Sequence, residues 1–127
     1  MTQLLVVDSS PRVRRYDPSD HRLDELAVKR EAAADFMSDI EQFLEPNGGS
    51  VLWFVSDVRR IGARYGNPQS LVWRDAGVLL GHVCLVAEAL GLSCCPLGFL
   101  GQAHVSAMFG VGDADLCATG TCLIGRR

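Results

Sequence analysis

The chain has 127 residues, which is the length of one domain with a single core. Its 48% hydrophobic and 21% charged residues argue against disorder. A formal net charge of −3 and an isoelectric point near 5.5 are not those of a polyanion-binding protein, so no nucleic-acid partner is expected. The first residues lack a basic region ahead of an apolar stretch, so they do not resemble a signal peptide and a cytoplasmic location is expected.

The five cysteines are an odd number without a Cys-x-x-Cys pair, and a cytoplasmic protein would keep them reduced. Their default role is that of small buried hydrophobic residues. Cys94 and Cys95 are adjacent, so in a strand they point to opposite faces and cannot both address one site. No metal site is expected, because tetrahedral zinc sites use two spaced pairs of ligands.

The first elements in chain order predict a hairpin. Residues 3–7 are a short β-type run, and Asp8-Ser9-Ser10-Pro11 is a dense turn signal before a second run at 13–16. Another turn follows at Asp17-Pro18-Ser19-Asp20. Residues 21–26 then extend the sheet or lead into the next helix.

A helix and a buried strand come next. Apolar residues within 29–44 recur at the spacing of one helical face, which predicts an amphipathic surface helix. Pro46-Asn47-Gly48-Gly49 ends that helix. The apolar run 51–55 has the length of a strand buried on both faces, so it is expected at the centre of the sheet.

Two further helices are predicted. The first is short, over 57–65, and is capped by Ser56 or Asp57. The second is long, over 71–90, with Ser70 as its candidate cap. It is apolar almost all round, which is typical of a helix that is buried on most sides or spans a membrane.

Polar residues within the long helix decide against the membrane alternative. They interrupt the run at Arg74, Asp75, His82 and Glu88. No uninterrupted stretch of about 18 uncharged apolar residues remains, so no membrane association is expected. Gly77 and Gly81 share a face, where each costs about 1 kcal/mol relative to alanine, so another element is expected to pack closely there. The helix is therefore either central to the fold or at a dimer interface, and His82 is expected to be a core histidine with one partner.

A short apolar strand follows the long helix and leaves through Pro96-Leu97-Gly98-Phe99. A short helix over 103–109, a loop over 110–115 and a last strand over 116–124 complete the chain. The fold class is α+β, with a mixed or antiparallel sheet around a long buried helix. No G-x-S-x-G, Walker or H-E-x-x-H motif occurs, so hydrolase, phosphoryl-transfer and zinc-protease activities have no local support.

Several segments form an ordered series that is more specific than any one of them. They are Arg14-Arg15-Tyr16-Asp17-Pro18-Ser19-Asp20-His21-Arg22-Leu23, residues 51–55, Arg64-Tyr65-Gly66, Asp75-Ala76-Gly77, residues 87–92 and Cys95-Pro96-Leu97-Gly98-Phe99. This series resembles the nitroreductase superfamily, and most closely the SagB-type azoline dehydrogenases, which oxidise peptide heterocycles with FMN. The resemblance implies that residues 1–127 form a single, truncated nitroreductase-like domain corresponding to the C-terminal half of the family's domain.

The resemblance also implies a flavin site at a subunit interface. The family's loop after the central helix passes the N5 edge of the ring, which assigns Pro96, Leu97 and Gly98 to the cofactor. Members of the family often have a C-terminal basic residue near the FMN phosphate, and the resemblance implies Arg126 or Arg127 for that place. From composition alone, Pro96-Leu97-Gly98 is a turn after a buried strand and the two arginines are a solvated tail.

The same family uses a neighbouring lysine and tyrosine for proton transfer, and Arg64 and Tyr65 occupy the corresponding place. Arginine stays charged, so Arg64 can orient or stabilise an anion but is a poor general base. Tyr65 can act as an acid or a hydrogen-bond donor. The alternative is that Arg64 lies on a solvated helix face and Tyr65 packs at its end.

Two hypotheses follow from the missing half of the family domain, which normally grips the FMN phosphate. In the first, the chain is a subunit of an FMN-dependent oxidoreductase that modifies a peptide or another natural product, and a larger flavin-binding partner completes the site. In the second, it is a flavin-free scaffold or substrate-recognition subunit. Both require the apolar long helix to be covered, so a homo- or hetero-oligomer is expected.

Overall fold

The computed structural model describes residues 2–111 and 115–127. Six strands form one sheet in the order β3-β2-β1-β4-β6-β5, and every neighbouring pair is antiparallel. The strands are β1 (Thr2–Val7), β2 (Val13–Asp17), β3 (Arg22–Glu25), β4 (Ser50–Asp57), β5 (Leu92–Leu97) and β6 (Leu116–Arg126). The helices are α1 (Arg30–Glu41), α2 (Val58–Gly62), α3 (Pro68–Ala89) and α4 (Val105–Phe109), with a 3-10 turn at Gln102–His104. The predicted α+β class is confirmed, and the predicted loop at 110–115 lies partly outside the described residues.

The hairpin of β1 and β2 is built by its turn residues. The Asp8 carboxylate accepts the backbone N–H of Ser10 at 3.1 Å, a local bond that closes the turn. Asp17 does the same for the N–H of Ser19 at 2.9 Å in the next turn. Residues 22–25 then pair with β2, so the segment predicted to extend the sheet or to enter a helix extends the sheet.

The main core lies between α1 and one face of the sheet. Phe36, Met37 and Ile40 of α1 are buried, as the amphipathic pattern predicts. They join the alternate residues Val51, Trp53 and Val55 of β4, which point to that face. The central position of β4, between β1 and β6, agrees with the prediction of a strand buried on both faces.

The long helix α3 covers the opposite face and packs against β5 and β6. Only Val72, Ala76 and Ala87 of this helix are buried. The structure therefore differs from the expected burial on most sides, because this chain supplies cover for only one side of α3. Of the two alternatives for this helix, a position at an interface fits and a position at the centre of this chain does not.

Three details of α3 also differ from expectation. A Cβ at Gly77 or Gly81 would meet no atom within 4 Å, so the close-packed neighbour expected there is not part of the described chain. His82 is exposed rather than in the core, and its Nδ1 lies 2.8 Å from the carbonyl oxygen of Val78. The helix begins at Pro68, whose fixed φ suits the first turn, so Ser70 lies inside the helix and does not cap it.

By length and composition alone, α3 is also apolar enough to cross a membrane, with a mean hydropathy of 1.4 in its most apolar window. A single helix of this kind is weak evidence for a membrane span, since helices of soluble proteins pass the same test.

Candidate functional site

The site residues predicted from the sequence lie at the two ends of β5 and just after α2. Strand β6 runs antiparallel to both β4 and β5, pairing Leu116 with Asp57 and Thr121 with Leu97. The carboxyl ends of β4 and β5 therefore point towards the start of β6. They end at different levels, however, since Leu97 and Asp57 face positions that are five residues, or about 17 Å, apart along β6.

Arg64 and Tyr65 line a cavity of about 490 Å³ just after α2, together with Arg60, Ile61, Leu71 and Asp75. The Asp57 carboxylate caps α2 by accepting the backbone N–H of Arg60 at 3.0 Å, as predicted. Tyr65 is 52% exposed. The cavity thus presents two guanidinium groups, one carboxylate and a phenol, which suit an anionic or hydrogen-bonding ligand.

Pro96 and Leu97 are the last two residues of the edge strand β5, not a turn after a buried strand, and Gly98 is the first residue after it. Leu97 is the last paired residue of the strand and packs against the main core. Gly98 is exposed, and a Cβ there would meet no atom within 4 Å. The backbone at Gly98 is therefore open to a ligand, as close approach to a flavin ring would require.

The chain directly after Gly98 is held firmly in place. The Phe99 carbonyl accepts a hydrogen bond from the Thr121 hydroxyl, and the Leu100 carbonyl accepts one from Nε1 of Trp53 at 2.9 Å. Gly101 has a φ of +79°, and a Cβ there would lie 2.9 Å from the ring of Phe36. An open residue, Gly98, is thus followed by a segment with little freedom to move.

Sequence reasoning missed these supporting residues. Gln102 bridges two backbone groups of β6, donating to the Leu116 carbonyl at 3.1 Å and accepting from the Ala118 N–H at 2.7 Å. His104 places its Nε2 2.6 Å from the Asp39 carboxylate of α1. One signal was available: a tryptophan in a central strand needs an acceptor for its indole N–H, and the partner had to come from a neighbouring loop.

Arg126 lies at the other end of β5, where it pairs with Leu92. It lines a cavity of about 570 Å³ with the α1–β4 connection and the edge of the sheet. The other lining residues are Leu44, Glu45, Pro46, Asn47, Gly48, Ser93, Leu123 and Gly125. Since Leu92 and Leu97 are five residues apart on an extended strand, Arg126 and Leu97 are separated by about 17 Å.

The structure therefore distributes the predicted residues over three places: the Arg64–Tyr65 cavity, the Leu97–Gly98 loop and the Arg126 cavity. Along β6, the level of Leu97 lies midway between the level at which β4 enters α2 and the level of Arg126. Among the residues that the structure describes, no group of three or more His, Cys, Asp or Glu side chains is placed to hold a metal ion.

Comparison with known proteins agrees with this architecture. Residues 2–126 match the Nitroreductase family. No curated protein matches the chain in sequence. A chain of the E. coli microcin synthetase McbBCD complex with truncated pro-MccB17 bound superimposes with a TM-score of 0.75 at 12% identity, covering 99% of this chain and 52% of that one.

Two putative nitroreductases also superimpose. The protein from Anabaena variabilis gives a TM-score of 0.75 at 15% identity, over 97% of this chain and 26% of that one. The protein from Ralstonia eutropha gives 0.71 at 19% identity, over 98% and 57%. The chain thus spans between about a quarter and somewhat over half of these three structures, and at such identities the superpositions establish the fold alone. Because the family match covers nearly the whole length, the chain belongs to the nitroreductase family.

Proposed function

We propose that the chain is a cytoplasmic subunit of an FMN-dependent oxidoreductase of SagB type, which modifies a peptide or another natural product and shares its active site with a partner chain. One observation carries the proposal: the backbone at Gly98 is open to a ligand and is followed directly by a segment that Thr121 and Trp53 hold in place. The likeness to a chain of a microcin synthetase complex, which acts within a multi-subunit assembly, is in keeping with it.

The residues of this chain fit a flavin in part. Gly98 leaves room for a ring against the backbone, and the following residues are fixed by Thr121 and Trp53. In the bound state, flavin would accept a hydride from the substrate. Backbone N–H groups of Leu97 and Gly98 would donate hydrogen bonds towards the ring and stabilise negative charge there without a particular side chain. Pro96 fixes the backbone that leads into them.

Arg64 and Tyr65 would act on the substrate side. The fixed positive charge of Arg64 would orient or neutralise an anionic group, since a guanidinium does not give up its proton. The Tyr65 hydroxyl would donate a hydrogen bond or a proton. Their cavity is open and Tyr65 is half exposed, so a partner chain is needed to exclude water from the reacting groups.

Arg126 would bind the phosphate of a flavin from its own cavity, which Ser93 and Asn47 also line. The separation of about 17 Å from Leu97 is large for one cofactor held by one chain. We therefore expect the Leu97 and Gly98 backbone of one subunit to meet the phosphate-binding residues of another subunit in a shared site. That other subunit would be either a second copy of this chain or a larger flavin-binding chain.

The outward face of α3 is the surface that would bring subunits together. Val78 and Leu85 are exposed on it, and Gly77 and Gly81 leave room for another helix. Arg74 lies seven residues before Gly81 in the sequence, and Glu88 lies seven residues after it.

This spacing favours a second copy as the occupant. If two α3 helices cross in antiparallel fashion at Gly81, Arg74 of each copy faces Glu88 of the other, as twofold symmetry requires. Within one chain, Glu88 is paired with Arg127, and both side chains are exposed. Covering this apolar face would satisfy the general limit on exposed apolar surface in soluble proteins.

A flavin-free scaffold or recognition subunit is the second candidate function. Two observations favour it: arginine stands where the related enzymes use lysine, and the three groups of site residues line separate surfaces. In that case, Arg64 and Tyr65 would contact a peptide or a partner enzyme without chemistry of their own.

The deciding experiment is a visible absorption spectrum and a native mass of the tagged chain, purified with its partners from its own host. Flavin bands together with a second polypeptide support the larger subunit, and flavin bands in an assembly of this chain alone support a shared homomeric site. The variant Arg126→Met tests the phosphate contact, with Arg127→Met as its neighbour control because Arg127 does not line the cavity. A colourless assembly that does not bind added FMN contradicts the oxidoreductase proposal and favours the scaffold.

A further inference from the structure

Three of the five cysteines meet between α3 and the sheet, on the face opposite the main core. The Sγ atoms of Cys84 on α3 and Cys94 on β5 are 3.5 Å apart. Cys122 of β6 is fully buried and lies diagonally across the strands from Cys94. Cys95 points to the other face of the sheet and is exposed. The cluster therefore joins a helix to a strand through sulfur atoms already in contact.

We infer that Cys84 and Cys94 are a redox-active dithiol, which a low-molecular-weight disulfide of the glutathione class oxidises to a cross-link between α3 and β5. The inference does not rest on flavin binding or on the proposed oxidoreductase activity. The cross-link would enclose 11 residues, counting both cysteines. It would tie the candidate interface helix to the strand that contains Pro96 and Leu97 and ends directly before Gly98.

The reaction proceeds by two exchanges. The thiolate of one cysteine attacks the reagent's disulfide, forming a mixed disulfide and releasing one reagent thiolate, which takes up the proton that the cysteine lost. The second cysteine then loses its proton and attacks the protein sulfur of the mixed disulfide. The bond between Cys84 and Cys94 forms and the second reagent thiol leaves. The protein loses two electrons and two protons, and the reagent is reduced to two thiols.

Geometry selects this pair over the others. Closing the sulfur atoms from 3.5 Å to a bond of about 2.05 Å needs only side-chain rotation and a small shift of the helix or strand. Cys94 is paired with Ile124 and Cys122 with Pro96, so Cys94 and Cys122 are diagonal neighbours across two strands. Diagonal Cβ atoms are about 7 Å apart, whereas a disulfide needs about 4 Å. Cys122 is also shielded from any reagent by its burial.

The environment sets the rate of the exchange. Burial, followed by the contact with Cys84, raises the pKa of Cys94 to about 11. The thiol is therefore almost fully protonated at neutral pH, and exchange through its thiolate is slow. The pair would stay reduced in a normal cytoplasm and respond to disulfide stress.

The test incubates the full chain in glutathione buffers from fully reduced to fully oxidised, followed by alkylation and mass spectrometry. We expect a species lighter by about 2 Da, since two hydrogens are lost. Cleavage after Glu88 separates Cys84 from the other four cysteines, so the cross-link would hold the two fragments together until reduction. We expect Cys84→Ser and Cys94→Ser to abolish this species, and Cys95→Ser, the exposed neighbour, to retain it.

Differential alkylation of the unaltered protein makes the test independent of how the variants fold. After oxidation, Cys84 and Cys94 should resist alkylation while Cys95 remains reactive, and the melting temperature should rise by about 5 °C or more. A chain that acquires only bound glutathione would overturn the inference. So would a cross-linked species that survives in Cys94→Ser, since another cysteine would then form the bond.

Discussion

The indole Nε1 of Trp53 donates a hydrogen bond to the backbone carbonyl of Leu100 across 2.9 Å. The donor is at the centre of the sheet, in β4, and the acceptor is in the loop that follows the open residue Gly98. Trp53 is fully buried, so this bond is shielded from water and fastens the segment after Gly98 to the central strand β4.

Replacing Trp53 by phenylalanine tests that attachment. Trp53→Phe leaves the Leu100 carbonyl without its donor and reduces the packed volume, so we expect a loss of about 2–3 kcal/mol in the free energy of unfolding. Hydrogen exchange of residues 98–101 should accelerate. Trp73→Phe is the control, because Trp73 is 47% exposed on α3 and its replacement should change stability by less than about 0.5 kcal/mol. Equal losses in both variants would contradict the attachment.

Replacing each of two glycines in the same loop by alanine should affect stability differently. Gly101→Ala places a Cβ 2.9 Å from Phe36 at a φ of +79°, so we expect a loss of about 2–4 kcal/mol in urea unfolding. Gly98→Ala meets no protein atom within 4 Å, so stability should stay within about 0.5 kcal/mol of the parent. If a flavin ring lies against Gly98, flavin content should fall in that variant although the protein is folded. Unchanged flavin content would remove Gly98 from the ring contact.

The two tyrosines provide a matched pair for the chemistry. Tyr65→Phe removes the hydroxyl from the cavity of Arg64 and should lower turnover of the intact complex by about 100-fold or more, the usual contribution of an acid or base. Tyr16→Phe removes a hydroxyl that lies 2.9 Å from His21 Nδ1 in the hairpin region and should leave turnover unchanged. Assembly, measured by native mass, should be intact in both. Full activity of Tyr65→Phe would leave Tyr65 with a structural role only.

The outward face of α3 can be tested without disturbing the core. Leu85 is 72% exposed in the chain, so Leu85→Glu should fold normally but weaken association, because a charge would be buried in the interface. Leu23→Glu on β3 introduces the same charge at another exposed leucine and should leave the native mass unchanged. Arg74→Glu should also weaken a twofold helix pair, and adding Glu88→Arg should restore it. A monomeric parent protein would refute the proposed interface.

Stability should decrease at alkaline pH because folding raises the pKa values of two thiols. Burial raises the pKa of Cys94 from 9.0 to about 11 and raises that of Cys122 further. The unfolded chain releases these protons at lower pH than the folded chain does. The stabilising contribution is therefore complete below about pH 9 and is lost as the pH rises towards 11. Urea midpoints from pH 7 to pH 10.5 should fall above pH 9 under reducing conditions, and less steeply in Cys94→Ala. Cys95→Ala, at an exposed position, is the control.

Local patterns in the sequence were sufficient to predict most elements and their order. The Asp-rich turns, the one-face spacing of α1 and the apolar run of β4 each depend on neighbouring residues, and each is confirmed. The burial of α3 was not predictable in the same way. An apolar helix must be covered, but its sequence does not specify whether its own chain or another one covers it.

The arrangement of the site depended on long-range pairing and was therefore only partly predictable. Arg126 and Leu97 were both assigned to one cofactor, yet the register of β5 against β6 places them at opposite ends of the strand. The contact between Cys84 and Cys94 likewise depends on the rotation of α3 relative to the sheet. Neither the register nor the rotation is encoded in local residue spacing.

The position of β6 between β4 and β5 has a consequence for synthesis on the ribosome. Among the strands that the structure describes, β5 pairs with β6 alone, so it cannot pair until residues 116–126 have left the exit tunnel. Until then, α3 can pack only on the earlier elements α2 and β1 and lacks the β5 and β6 surface that covers it in the folded chain. The nascent chain thus passes through a long interval in which it is prone to aggregate, and chaperone binding during that interval should protect its yield.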